Sequence, residues 1–460
     1  MQNIMRRGFV ATTAATTLAL TGRQLLAANE KVVIGIIGLG GQGRGHLNSY
    51  LGIPNVEVAY VCDVDEQRLA DAAKTAPNAT AVGDLREILD DKAVDAVSIA
   101  TPDHWHTPAA LLALAAGKHV YVEKPCSHNV REGRWLVDAA ARSGKIVQHG
   151  TQSRSTPFIQ AAMKLLKGGL IGDVKIARAW DVQFRPPIGK EMPSDAPNRF
   201  DYDTWLGAAP KLPFQKNRHH YTWHWWHHFG TGDAGNDGVH EIDIARWGLG
   251  VETHPSQIAA IGGKYVHNDD QQFPDTMTAA FEYPGDGSVG QRRQLIFEMR
   301  LWSRYHPNGI DNGNEFLGTQ GRMLLTKRGQ VEVFNEKDER LKIDLPEMKS
   351  AGIQPHQTNF IDAIRGGATL NANALTGHLS SSLPHLANLA CRVGRSFRFD
   401  PQLETVIGDE EAKQLLERSY RDHWSRPAES KSKVTEERQV KVYIGDQEVV
   451  DSNSQPPMVT

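Results

Sequence analysis

Gly38, Gly40 and Gly43 form G-x-G-x-x-G directly after the apolar run Val32-Val33-Ile34-Gly35-Ile36-Ile37. Those residue types at that spacing suit a phosphate seat. Gly38 permits a tight turn, Gly40 lets a pyrophosphate approach the backbone, and Gly43 lets the next helix pack closely. A helix opening at Gly41-Gln42 would then aim its unsatisfied N–H groups at the anion. A carboxylate extends this chemistry: the strand predicted from Val56 to Cys62 ends at Asp63, twenty residues after Gly43. There it can bond both ribose hydroxyls of NAD and repel the 2′-phosphate of NADP, so NAD is the expected cofactor.

These groups need a scaffold, and the pattern supplies one. Helices expected at 65–76, 84–89, 107–116 and 131–142 alternate with strands at 80–82, 96–100, 119–122 and 146–148. Alternation of this length predicts an α/β fold, a doubly wound parallel sheet with crossovers on both faces. Ligands on such sheets bind beyond the carboxyl ends of the strands. Two loops there carry chemistry, Thr101-Pro102-Asp103-His104-Trp105-His106 and Glu123-Lys124-Pro125, with Gln152 just past the last strand. All are candidate cofactor contacts, within a dinucleotide-binding domain expected over residues 30–152.

Composition narrows the class. A net charge of −3, from 51 basic and 54 acidic residues, carries no nucleic-acid signature. No stretch after residue 30 is apolar and long enough to span a membrane. Cys62, Cys126 and Cys391 lie far apart without C-x-x-C spacing, which favours structural thiols over a disulfide framework. Residues 1–29, with Arg6-Arg7, a Thr- and Ala-rich uncharged run and Ala27-Ala28, have the layout of a twin-arginine export signal. Periplasmic localisation is the corresponding expectation.

The second domain is expected over residues 153–427. A helix (158–167) and a strand (174–182) precede a Pro-rich loop that opens at Arg185. A run of histidines and tryptophans follows, including Trp223, Trp225 and His227, and then a helix in which Asn236 and His240, four apart, share a face. Imidazoles invite a metal reading, but no cysteine or H-E-x-x-H accompanies them, and no metal is expected here. Indole faces stacked on sugar C–H groups, with histidines bonding hydroxyls, fit better, so Lys124, Arg185, Trp223, Trp225, His227, Asp237 and His240 are substrate candidates. Further strands are expected at 276–283, 294–302, 321–326 and 330–334, and helices at 356–364, 380–393 and 409–419. Residues 428–460 read as a polar tail with a hairpin at 440–450.

The glycine motif, Asp63, T-P-D-H-W-H, G-K-H-V-Y-V-E-K-P, F-L-G-T-Q-G-R-M-L-L and H-Q-T-N-F-I-D-A-I-R together resemble the Gfo/Idh/MocA family, the glucose–fructose oxidoreductase and inositol dehydrogenase group. The resemblance implies a nicotinamide-binding domain followed by an α/β domain on a large, open, mainly antiparallel sheet that commonly mediates homo-oligomerisation. It also implies that a sugar or polyol alcohol is oxidised, with Lys124 stabilising the alkoxide and His240 taking the proton. Asn236 stands where the family often has Asp. Asparagine cannot accept a proton, so its expected part is to bond substrate or orient a neighbour, while Asp237 or Asp243 steadies the imidazole. An alternative is a glycosidase that uses NAD catalytically, as in an α-N-acetylgalactosaminidase branch resembling this family. That branch lacks the lysine of E-K-P, and Lys124 is present here. A non-catalytic sugar-binding protein is a third, weaker reading.

Overall fold

The computed structural model describes residues 30–421, together with the backbone of 442–444 and 447–449. The export signal and most of the polar tail lie outside the described residues. Within the tail, Val442–Ile444 and Gln447–Val449 pair antiparallel as the expected hairpin, a unit of its own.

β1 (Val32–Ile37) is buried along most of its length, as an apolar run in a parallel sheet must be. It leads through the glycine turn into α1 (Gly41–Leu51), and then come β2 (Val56–Cys62), α2 (Glu66–Thr75), β3 (Thr80–Val82) and α3 (Leu85–Asp90). β4 (Ala96–Ile99), α4 (Asp103–Ala115), β5 (His119–Val122), α5 (Val130–Ser143) and β6 (Val147–His149) complete the first half. Helix starts are set by short polar side chains: Asp65, Asp84 and Asn129 accept N–H bonds at the first turns of α2, α3 and α5. The six strands are parallel in the order β3-β2-β1-β4-β5-β6. Strand order therefore reverses between β1 and β4, and that crevice is where a ligand fits.

One boundary differs from expectation in a way that matters. α4 begins at Asp103, so most of T-P-D-H-W-H is helix rather than loop. Proline is favoured in a first turn, which places the predicted start beside Pro108, but the side chains from Asp103 to Leu111 are all buried and their packing decides.

The second half is built on ten strands in the order β14 (Arg340–Leu341), β13 (Gln330–Asn335), β12 (Gly321–Thr326), β11 (Asn312–Gly318), β7 (Val174–Asp181), β10 (Arg293–Arg300), β9 (Thr276–Tyr283), β8 (Gln257–Gly263), β15 (Phe397–Asp400), β16 (Thr405–Ile407). Only β7 (Val174–Asp181) and β10 (Arg293–Arg300) pair in parallel; the other pairs are antiparallel. After α6 (Pro157–Lys167) come the short α7 (Tyr202–Leu206) and α8 (Gly232–Asn236); α6, α9 (Gly238–Leu249) and α11 (Ala374–Val393) contribute to one core with this sheet. Met277, Ala279, Phe281 and Tyr283 of β9 (Thr276–Tyr283) alternate into it, as do Leu295, Phe297 and Met299 of β10. Each large side chain so buried contributes about 1.5–3 kcal/mol. Periodicity gives little sign of β8 (Gln257–Gly263) or β11 (Asn312–Gly318), whose Gly, Ala and Asn residues have low strand preference. Their neighbours β9 and β7 recruit them. α11 starts at Ala374, capped by Asn373, six residues before the expected start at Ser380. α10 (Gln354–Ile364) crosses back to the first half, where Phe360 and Ile361 join the core beside β1. No helix among the described residues is long and apolar enough to cross a membrane.

Candidate active site

A cavity of about 490 Å³ opens at the carboxyl ends of β1, β4 and β5 and runs from the glycine turn to Lys124 and Asn236. The glycines act differently at its floor. Gly38 has φ +86°, and a Cβ there would lie 2.6 Å from the Ala100 carbonyl oxygen. At Gly43 a Cβ would meet the Gly38 oxygen at 1.8 Å, so this residue seats α1 on the turn and does not itself line the cavity. Gly40, Gly41 and Gln42 do line it, and the Gly40 cap makes no side-chain bond that would compete for the first N–H groups of α1. Asp63 lies on the wall, its Oδ2 accepting from Leu39 N at 2.7 Å and its Oδ1 from Asp65 N at 2.9 Å. Burial raises its pKa, and those two N–H donors and Arg68 oppose the rise. An open helix N-terminus, glycines where side chains would collide and a carboxylate at the ribose position are the donor set that NAD requires.

Glu123 joins this cradle to the reacting end. Its Oε1 accepts from Gln42 Nε2 and pairs with His46 Nε2, both at 2.9 Å, while Oε2 accepts from Lys124 N at 3.1 Å. His46 in turn meets Ser98 Oγ at 2.8 Å. Burial alone would raise the Glu123 pKa, but the bonds and charges from His46, Lys124 and Gln42 hold it well below the carboxylate range. This ionised anchor ties the β5 loop to α1. Lys124 then reaches across to the second half, its Nζ donating to the Asn236 carbonyl oxygen at 2.6 Å and lying 3.4 Å from Asn236 Oδ1.

Behind Asn236 lies a buried charged layer. Asn236 Nδ2 donates to Asp233 at 2.7 Å, and Asp233 accepts from Arg185 Nε at 3.1 Å. Asp237 pairs with Lys327 Nζ at 2.7 Å, accepts from Gln183 and lies 3.7 Å from Arg185. Glu241 also meets Lys327, at 3.0 Å, and burial pushes its pKa up to about 7 against that ammonium. Contrary to expectation, His240 does not share a helix with Asn236: a short helix ends at Asn236, Asp237 interrupts the helical run, and His240 sits on the first turn of α9 beside Glu241, 8% exposed, with its Nδ1 unpartnered. Burial first, then Lys327 and Lys124, lower its pKa to about 3, and the imidazole is neutral at physiological pH. The sequence motif does not foretell this, because Lys327 arrives from the turn after β12 (Gly321–Thr326).

Several expected contacts are placed elsewhere. Thr101, Pro102, Asp103, Trp105 and His106 line the cavity, but His104 points away, its ring nitrogens at 2.8 Å from Trp205 O and 3.3 Å from Phe229 O. Gln152 lies on a short helical turn outside the lining. Trp223 is on the wall, stacked against His224 with ring centroids 3.6 Å apart. Trp225 instead enters the core of the second half, and His227 packs edge-on against Phe273. Asp243 does not steady His240: its carboxylate is taken by Arg154 and Ser380. Arg185, Asp237 and His240 form the layer behind the lining. Residues not singled out from sequence, Arg68, Trp205, His220 and Tyr221, complete the wall. The last two belong to the His/Trp run, but it folds as short helical turns without a regular period, so its sidedness was not readable.

Residues 32–151 match the family model of the Gfo/Idh/MocA oxidoreductase family with NAD-binding Rossmann fold, and residues 160–283 and 318–426 match its C-terminal alpha/beta domain. The chain belongs to this family. Among curated relatives, a glycosyl hydrolase family 109 protein of Saccharopolyspora erythraea is 36% identical over 159 residues, 32% of this chain and 34% of that protein. Inositol 2-dehydrogenase 2 of the same organism is 31% identical over 221 residues, 48% of this chain and 54% of that one. Levoglucosan dehydrogenase of Pseudarthrobacter phenanthrenivorans is 26% identical over 229 residues, 48% and 52% of the two chains. The chain thus spans about a third to about half the length of these relatives. A solved levoglucosan dehydrogenase in complex with NADH shares the fold, with a TM-score of 0.62, 18% identity and coverage of 80% of this chain and 98% of that one.

Proposed function

We propose that this family member transfers hydride between a secondary alcohol of a sugar, glycoside or polyol and an NAD that it holds tightly. One observation carries the reading: Lys124, anchored to the cradle through Glu123, places its ammonium 2.6 Å from the Asn236 carbonyl at the far end of the cavity from the glycines. NAD, bound by Gly40, Gly41, Gln42 and Asp63, supplies the hydride acceptor. Lys124 stabilises the oxygen anion that develops on the alcohol. His240, kept neutral by burial, lies behind the lining and takes the hydroxyl proton through a bridging water, while Asn236 fixes Lys124 and bonds substrate. Trp223 offers a flat face to sugar C–H groups. The dehydrogenase names of the inositol and levoglucosan relatives support this substrate class.

Retention of the cofactor is supported by the segment from Arg199 to His224, which is tied to the first half and contributes Thr204, Trp205, His220, Tyr221, Trp223 and His224 to the cavity wall. Arg199 O accepts from Glu66 N and Asp201 N donates to Val64 O, both at 3.0 Å, and His220 Nε2 meets Asp65 at 2.7 Å. Such a wall suits the export route read from Arg6-Arg7, because no free nicotinamide pool exists outside the cytoplasm. We place the protein in the periplasm, folded and loaded before export, and as a homo-oligomer through the open face of the ten-stranded sheet. Fractionation and the mass of the purified assembly test those two statements. The glycosyl hydrolase relative favours a second reading, transient oxidation of the sugar followed by loss of its aglycone. A panel of free sugars, polyols and glycosides, followed by absorbance of the bound nicotinamide, decides between them. An oxidised sugar supports the dehydrogenase; aglycone release without net reduction replaces it with the glycosidase.

A further inference from the structure

Apart from the residues that line the cavity, three residues far apart in sequence aim at one point. His254 precedes β8, His378 lies on α11, and Glu404 occupies the turn between β15 (Phe397–Asp400) and β16 (Thr405–Ile407). They are 2%, 0% and 5% exposed. His254 Nε2 lies 3.1 Å from Glu404 Oε1, His378 Nε2 lies 3.0 Å from Oε2, and the two Nε2 atoms are 3.3 Å apart. Zinc bonds nitrogen and oxygen at about 2.0–2.1 Å, so ligand atoms at tetrahedral angles around it are about 3.3 Å apart. Each imidazole nitrogen thus lies about one ligand–ligand distance from the other and from one oxygen of the Glu404 carboxylate, the two histidines addressing different oxygens.

Hydrogen bonding explains this cluster less well. If both imidazoles donate from Nε2 to the carboxylate, two N–H groups crowd together at 3.3 Å in a buried site. A cation between deprotonated Nε2 atoms removes that conflict, and the other nitrogen of His378 then has a partner in Ser382 Oγ at 3.3 Å, while His254 Nδ1 is buried without one. Glu404 reaches the cluster from a backbone with φ +51°, a left-handed conformation uncommon outside glycine. Arg134, on α5 of the first half, donates its Nε to Oε2 at 3.0 Å and a terminal nitrogen to Oε1, leaving each oxygen a lone pair towards the histidines.

We propose that His254, His378 and Glu404 bind a divalent transition-metal ion of the zinc type, with water in the fourth position, outside the catalytic cavity. Its role is structural: it locks the β15–β16 turn and α11 together, and through Arg134 holds them to α5. Full-length protein stripped with a chelator and dialysed against zinc should take up one equivalent that H254Q and H378Q each lose. H220Q, which disrupts the other close group, Asp65 with His219 and His220, should keep it. Cobalt in the wild-type protein should show the visible ligand-field bands of a four-coordinate site, and zinc should raise the melting temperature of wild type and H220Q alike. These two measurements hold even where a histidine variant does not fold. Absence of uptake at micromolar free zinc, uptake unchanged in H254Q and H378Q, or uptake abolished by H220Q would each overturn the assignment.

Discussion

The two ends of the cavity are built on different principles. At the cradle, turn, helix N-terminus and glycines come from one continuous stretch, Val32 to Leu51, and recognition rests on backbone N–H groups and missing side chains. At the reacting end, Lys124, Arg185, Asn236, His240 and Lys327 come from separated segments and act through charged side chains in a buried layer. A backbone site is rigid and tolerant of its surroundings; a side-chain site depends on every segment that neutralises it. Glu123 is the joint between the two.

Changes at each end should therefore separate binding from turnover. Lys124→Met should lower kcat by about 10²–10⁴-fold while NAD stays bound; retained activity, or loss of the cofactor, would collapse the distinction. Gly43→Ala should do the reverse. Its methyl has no room against the Gly38 oxygen, so about 1–3 kcal/mol of strain should appear as weaker NAD binding and a lower melting temperature, and unchanged NAD titration would argue against the packing role.

Acid should loosen the seam between the halves. His104, bonded across it to Trp205 O, and His149 have pKa values lowered by burial to about 3. The unfolded chain, with histidines near 6.5, takes up protons first, so stability is complete above about pH 6.5 and falls towards pH 3, by up to about 1.4 kcal/mol per pH unit for each histidine. A melting temperature flat between pH 6.5 and 4.5 would contradict this. The smallest effect is expected at Asp63→Asn, which loses the charge and, with a single amide oxygen, can accept from only one of Leu39 N and Asp65 N. NAD affinity should fall about tenfold and the preference over NADP should narrow, as competition binding would read directly.

Much of the first half was legible because its signals are local. Alternating strands and helices, capping aspartates at 65 and 84 and three spaced glycines state themselves within a few residues. The second half was legible where strands alternate cleanly, as in β9 and β10, and obscure where a glycine-rich strand is held by its neighbours, as in β8. The same distinction divides the tryptophans: Trp223 and Trp225 are two apart, yet one faces the cavity and the other the core.

The amino-acid sequence alone determined the dinucleotide cradle and the E-K-P lysine beside it, since each depends on chain geometry over one turn or one strand. It did not determine the relation of Asn236 to His240, which the break at Asp237 divides between two helices. Tertiary structure alone decided which charges surround His240 and which carboxylates are already occupied, as Asp243 is by Arg154 and Ser380. The reason is physical: Coulomb interactions in a buried layer depend on distances between segments tens to hundreds of residues apart, and those distances exist only once both sheets have packed.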